Sequence, residues 1–241
     1  MNRLTTVMLV LLLPAAAAAQ QQDGRHECLM EPAVEVSLSS PVAGVIESIS
    51  VHRGSPVEEG QVLAKLEAAA EQAAVDLARA KLEFGQRKVA RTKELYSENF
   101  TSEYSVDEAV TEARLATVEL EQAQTILARK TIRSPITGLV VDKNADVGEF
   151  VDDDEILTLV KLDPLYIEVV VPVDQLDSIS TGMQATVYPQ QPVGGEYKAE
   201  VVTVDQVVDA ASGTFGVRLA LPNRDGGLPA GLRCMVAFPD S

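Results

Sequence analysis

The chain is short of positive charge: 20 Lys and Arg stand against 36 Asp and Glu, for a formal net charge of -16 and a pI near 4.5. Phosphate backbones and anionic lipid surfaces repel such a chain on average, so no nucleic-acid partner is expected. Aromatic residues are scarce at 4%, with no Trp, and there are only two His and two Cys. Gly-rich phosphate loops, H-E-x-x-H helices and G-x-S-x-G elbows are missing, which leaves enzymatic activity without a motif and without a cofactor. His52, in VHRGSPV, has no nucleophile motif beside it and reads as a surface residue. The run Asp152, Asp153, Asp154, Glu155 lacks the alternating ligand spacing and Gly of a calcium loop, and reads as a solvated turn. Beyond residue 19 no segment resembles a transmembrane helix. With 241 residues, 46% apolar and 23% charged, the chain is neither a disulfide miniprotein nor wholly disordered nor polytopic, and it has room for one large or two small domains.

What is present begins with MNRLTTVMLVLLLPAAAAA over residues 1–19: one Arg, an apolar run, then small residues offering an A-x-A cleavage site. That is an export signal, with an uncleaved anchor as its rival. No Cys follows the run closely enough to carry a lipid. Cys28 and Cys234 lie near opposite ends of the chain, and an even count in an exported protein favours pairing. Such a bond would pin the N-terminal arm, residues 20–39, to the last strand. The rival is a soft-metal module, since His26, Cys28 and Met30 alternate along an extended arm and would point the same way.

Shifted by 94 residues, the chain matches itself without a gap: SPVAGVIESISVHRGSPVEEGQVLAKL falls on SPITGLVVDKNADVGEFVDDDEILTLV. Ser40, Pro41, Gly44, Gly54, Val57 and Leu63 recur as Ser134, Pro135, Gly138, Gly148, Val151 and Leu157. The glycines stand where short strands must turn. Neither half is long enough to bury a sheet face alone, so residues 40–66 and 134–160 should fold together into one small sandwich. The pattern resembles a biotinyl/lipoyl-like domain in two halves. No modified-Lys tripeptide stands at the junction, so Lys65 and Lys143 read as solvated strand residues.

The intervening residues 67–133 contain no Pro and are helical by period, with a break at SENFTSEY. Val75, Leu82, Val89 and Tyr96 recur every seven residues before the break, and Val106, Ala113, Leu120 and Leu127 after it. Small residues beside these rows, Ala78 and Gly85 on one side and Ala109, Ala116 and Ala123 on the other, let two helices approach closely. This describes an antiparallel hairpin with arms of roughly 40–45 Å. Ser105 followed by Glu108 reads as a capping box opening the second helix. From 161 to 241 the period falls to two, and five or six strands with one short helix at Val173–Ile179 suggest a small closed barrel. The fold class is thus mostly β with a long α-helical hairpin: a split lipoyl-like sandwich plus a β-barrel.

The order signal, half-sandwich, hairpin, half-sandwich, barrel resembles the periplasmic adaptor subunits, or membrane fusion proteins (HlyD/RND type), of tripartite efflux pumps. At the hairpin break the family shows Arg, then Leu four residues on, Ser seven further and Asp five beyond. Those are Arg91, Leu95, Ser102 and Asp107 here, and the family's Gly-rich barrel end is matched by LPNRDGGLPAGLRCMVAF. The resemblance implies that Arg91, Leu95 and Ser102 contact the helical tips of a TolC-type outer-membrane channel. It further implies a homo-oligomer in the periplasm, held at the inner membrane by an RND-type efflux transporter, with an ABC-type exporter or type I secretion system as the alternative. It is to a short form, because the family's additional membrane-proximal domain is not expected here; the Cys28 to Cys234 link would then act as a substitute staple at the barrel's open end.

Overall fold

The structure, a computed structural model, describes residues 24–239; the export signal expected over residues 1–19 lies outside the described residues. In chain order the elements are β1 (Arg25–Ser39), β2 (Gly44–Ile49), β3 (Pro56–Val57), β4 (Val62–Leu66), α1 (Ala69–Ser97), α2 (Glu103–Ala128), β5 (Thr131–Arg133), β6 (Gly138–Lys143), β7 (Phe150–Val151), β8 (Glu155–Pro172), a 3-10 turn (Val173–Ser178), β9 (Gln184–Pro189), β10 (Tyr197–Val204), β11 (Thr214–Leu221) and β12 (Arg233–Ala237).

The internal repeat has a direct physical counterpart. Ser40 and Ser134 are both 3% exposed. The Oγ of Ser40 donates to the carbonyl of Val42 at 2.5 Å, and that of Ser134 donates to the carbonyl of Ile136 at 2.6 Å, so one turn is built twice. Gly54 and Gly148 take φ of +86° and +88°, a left-handed conformation that glycine adopts without a Cβ clash. The halves then exchange edges. Gly44 of β2 pairs with Val151 of β7, and Gly138 of β6 pairs with Val57 of β3, so each half completes the other's sheet. The shared core of Ile46, Val51, Val57, Leu63, Val140, Val151, Ile156 and Leu159 draws on both halves.

The two longest strands join the sandwich to a barrel. β8 is buried at every residue from Ile156 to Val160, then alternates, with Leu165, Ile167, Val169 and Val171 turned into the second core. The barrel order is β1-β12-β9-β10-β11-β8, closed by pairing of β8 with β1, so no free edge remains. Residues 163–239 supply five of the six strands; the sixth is β1. From Arg25 onward, therefore, the stretch expected as a separate arm is a strand. Its start, from Arg25 to Leu29, pairs with β12, and the stretch from Cys28 to Ser39 pairs with β8, with a register shift between Pro32 and Val34. The helix expected at Val173–Ile179 is the 3-10 turn.

Cys28 and Cys234 face each other in the β1/β12 ladder and form a disulfide, with Cα atoms 4.8 Å apart. No helix among the described residues is long and apolar enough to cross a membrane.

Candidate docking site at the hairpin tip

α1 and α2, of 29 and 26 residues, run about 43 and 39 Å at 1.5 Å per residue. They pack along the small-residue seam: Val75, Ala78, Gly85 and Ala109 are buried. A Cβ on Gly85 would lie 3.2 Å from the Cα of Ala113, so the helices nearly touch at this level. Lys81 and Lys88 bridge the seam to Glu119 and Glu112 at 2.9 and 2.6 Å. The hydrogen bond that the Lys88 ammonium donates to Glu112 holds it above its ordinary pKa. At the base, Lys130 joins Glu71 at 3.1 Å and donates to the carbonyl of Ala43 at 3.2 Å, tying the hairpin to the sandwich. Glu71 is held below the ordinary carboxylate range, first by its own backbone N–H and then by Lys130.

The tip itself is tightly built. α1 ends in a Schellman arrangement: Asn99 sits at φ 61°, its N–H donates to Tyr96, and the N–H of Phe100 donates to Leu95 at 2.8 Å. Two residues later Ser102 is the N-cap of α2, accepting from the N–H of Ser105 and lying 3.1 Å from its Oγ. The capping box expected at Ser105 is therefore corrected. The helix opens three residues earlier, and Ser105 is the residue that Ser102 caps.

Arg91, Leu95, Ser102 and Asp107 are all exposed, with Leu95 40% open. Arg91 and Leu95 lie in the last two turns of α1, Ser102 caps α2 and Asp107 stands in its second turn, and the two caps fix the short connection between the helices. Phe100 and Tyr104, both 76% exposed, stand among them and were not singled out by the spacing. Their signal in the sequence is Asn99, a residue that tolerates the left-handed region and turns Phe100 outward at the helix end. Such a tip offers a guanidinium fork, apolar anchors and acidic neighbours such as Glu94, Glu98 and Glu103, a mixture suited to contact with other helices.

The soft-metal candidates are placed differently. Cys28 is spent in the disulfide, Met30 is fully buried in the barrel core, and the Nε2 of His26 lies 3.0 Å from the amide oxygen of Gln175. They do not share an open site, and among the described residues no group of three or more His, Cys, Asp or Glu gathers. His52 lies exposed on its turn, and the acidic run after Val151 turns at Asp153 with φ 47°.

The model of the CzcB-like barrel-sandwich hybrid domain matches residues 35–161, more than half of the chain, and that of the CusB-like beta-barrel domain matches residues 164–241. The chain belongs to the CzcB-like membrane fusion proteins, the periplasmic adaptors. This is a family of non-enzymatic linkers. The adaptor is 28% identical over 162 residues to the cobalt-zinc-cadmium resistance protein CzcB of Cupriavidus metallidurans, covering 61% of this chain and 31% of that one. It is 24% identical over 222 residues to the multidrug efflux pump subunit AcrA of Escherichia coli, covering 79% and 55%. The chain thus spans about a third to just over half the length of these relatives. A MacA–MexA chimera carrying the Pseudomonas aeruginosa MexA α-hairpin shares its fold, with a TM-score of 0.78 at 21% identity over 90% of this chain and 81% of that one.

Proposed function

We propose that this adaptor works in the periplasm as a homo-oligomer, bridging an RND-type inner-membrane transporter to a TolC-type outer-membrane channel. The observation that carries the reading is the tip: Arg91, Leu95 and Ser102 are exposed, held by two helix caps, and carried about 40 Å from the sandwich by a hairpin locked at its base. One tip presents too little surface for tight binding, so affinity has to come from several tips engaging together. The relatives are named for cation resistance and for multidrug efflux, so efflux is the common ground and the transporter sets the cargo.

The test is in-cell photo-crosslinking from a probe at Ser102, with mass spectrometry of the adducts. Recovery of an outer-membrane channel supports the bridge. Well-expressed protein that gives only self-adducts, or none, overturns it.

A further inference from the structure

A groove of about 1250 Å³ lies on the outer wall of the barrel, over the start of β1 and its neighbours β12, β9 and β8. Strand alternation sets what it presents. Cys28, Met30, Val169 and Cys234 turn into the core, so the residues between them turn outward. Register then places these in rows: Tyr188 stands opposite Met235 and Met235 opposite Glu27, and one row on Arg233 stands opposite Leu29. From β8 Val170 joins this floor and is 63% exposed, while Leu29 is 39% exposed. Open apolar surface inside a concavity is where small ligands bind.

The charge of the lining runs against that of the chain. With 20 basic residues against 36 acidic ones, an arbitrary concavity of this protein is acidic. This one sets Arg25 and Arg233 against Glu27 and Glu168, and Glu168 is already held by Arg218 of β11. Among the described residues Arg25 and Arg233 enter no ion pair, and Glu27, in the row between theirs, holds neither. Two guanidinia are therefore open to a ligand, with one free carboxylate opposing them. Arg25 is also positioned. Its guanidinium lies 4.3 Å from the centre of the Tyr188 ring, which draws it from the row of Ala237 to that of Met235, and so toward Arg233. His26 of the same lining is engaged with Gln175 at 3.0 Å.

We propose that this groove binds an amphiphile with an anionic head, a phosphate or carboxylate carried on an alkyl chain. The head takes the forked donors of Arg25 and Arg233, and the chain lies along Leu29, Val170 and Met235. A neutral chain gains only the apolar floor. An anion without a chain gains only the two guanidinia, and it approaches a protein of net charge -16. Head and chain together are what the lining selects. The inference stands apart from the bridging reading, since the groove is on the barrel and the channel contact is at the hairpin tip.

The test is equilibrium dialysis of the exported, oxidised protein against decyl phosphate below its micelle concentration, with decanol as the uncharged probe. Decyl phosphate is expected to bind saturably, one per chain, and about tenfold or more tighter than decanol. The affinity should fall by about the same factor when Arg25→Gln and Arg233→Gln are combined, and again in Val170→Glu, which puts a charge on the floor. Arg53→Gln, on an exposed turn of the sandwich, should leave it unchanged. Each variant is read with its disulfide and helical signal intact. Vesicles containing phosphatidylglycerol then separate the two sources of such a head. Cosedimentation that disappears in the double arginine variant assigns the site to a bilayer lipid, and no cosedimentation assigns it to a free amphiphile. The inference is overturned if decyl phosphate does not bind saturably, if decanol binds as tightly, or if the folded double variant binds as the wild type does.

Discussion

At the scale of single residues, two glycines of the repeated segments differ in kind: Gly138 opens β6, and Gly54 lies in the turn before β3. A Cβ on Gly138 would fall onto the carbonyl oxygen of Val160, within the β6/β8 pairing, where backbone cannot yield. A Cβ on Gly54 meets open space, and only its φ of +86° is strained. Gly138→Ala is expected to destabilise the sandwich by about 3 kcal/mol and Gly54→Ala by about 1 kcal/mol, read from denaturant midpoints at unchanged slope. Equal shifts would show that the β6/β8 contact has slack. Ser102 needs a finer test because it caps α2 as well as standing at the tip. Ser102→Ala removes the cap, worth about 1 kcal/mol, while Ser102→Asp keeps an acceptor there. Export lost in both, with the helical signal kept in the Asp variant, identifies a docking residue; export kept in Ser102→Asp reduces Ser102 to a cap. The cap was misread from sequence because Ser102 and Ser105 are three apart and both precede a helical run. Only the geometry of Glu103 decides between them.

Among elements, legibility tracked how local the determinants are. The hairpin was readable because its heptad rows and its break lie in one stretch, and the sandwich because its pattern occurs twice. β1 was not readable as a barrel strand. Its partners β8 and β12 lie more than a hundred residues on, and no local pattern announces a pairing at that distance. The tip residues Arg91, Leu95, Ser102 and Asp107 came from the family spacing, whereas Phe100 depends on the left-handed turn at Asn99, which a spacing motif does not contain. At the hairpin base the link between Glu71 and Lys130 makes a pH prediction. Glu71 has a folded pKa below its unfolded one, so its contribution is present above the ordinary carboxylate range and is lost as pH falls through that range and on through the folded value. Amide exchange in the first turn of α1 is expected to speed up relative to its middle as the solution is acidified. Lys130→Ala should produce the same relative loss of protection already at neutral pH. A first turn equally protected in wild type and variant would place the anchor elsewhere.

Across the whole molecule, β1 and β8 form one antiparallel ribbon that enters both cores, so the barrel and the sandwich are joined by paired backbone and not by a flexible linker. Where the ribbon crosses, Asn223 is 6% exposed and fastens the barrel's Gly-rich loop to it. Its amide donates to the carbonyls of Leu162 and Leu228, and its N–H donates to Asp163. The disulfide acts on the same ribbon from its far end, because Cys28 lies in the part of β1 that closes the barrel against β12. With the two cysteines 206 positions apart in sequence, the link removes much of the unfolded chain's freedom, and its loss is expected to cost about 2–5 kcal/mol. That cost should fall on the barrel first, since five strands without β1 leave β8 and β12 with open edges, whereas the sandwich end of β1 keeps its pairing through Val34–Ser39. The chain offers the probe for this. Tyr166, Tyr188 and Tyr197 are all barrel residues, while the other two tyrosines, Tyr96 and Tyr104, are exposed near the hairpin tip. Near-ultraviolet tyrosine dichroism therefore follows the barrel, and the signal at helical wavelengths follows the hairpin. In the oxidised protein the two should melt together through the ribbon. In the Cys28→Ser, Cys234→Ser double variant the tyrosine signal should be lost at a lower temperature than the helical one. Coincident melts in that variant would mean that backbone pairing along β1 and β8 alone couples the domains, and that the disulfide merely raises the stability of a unit already whole.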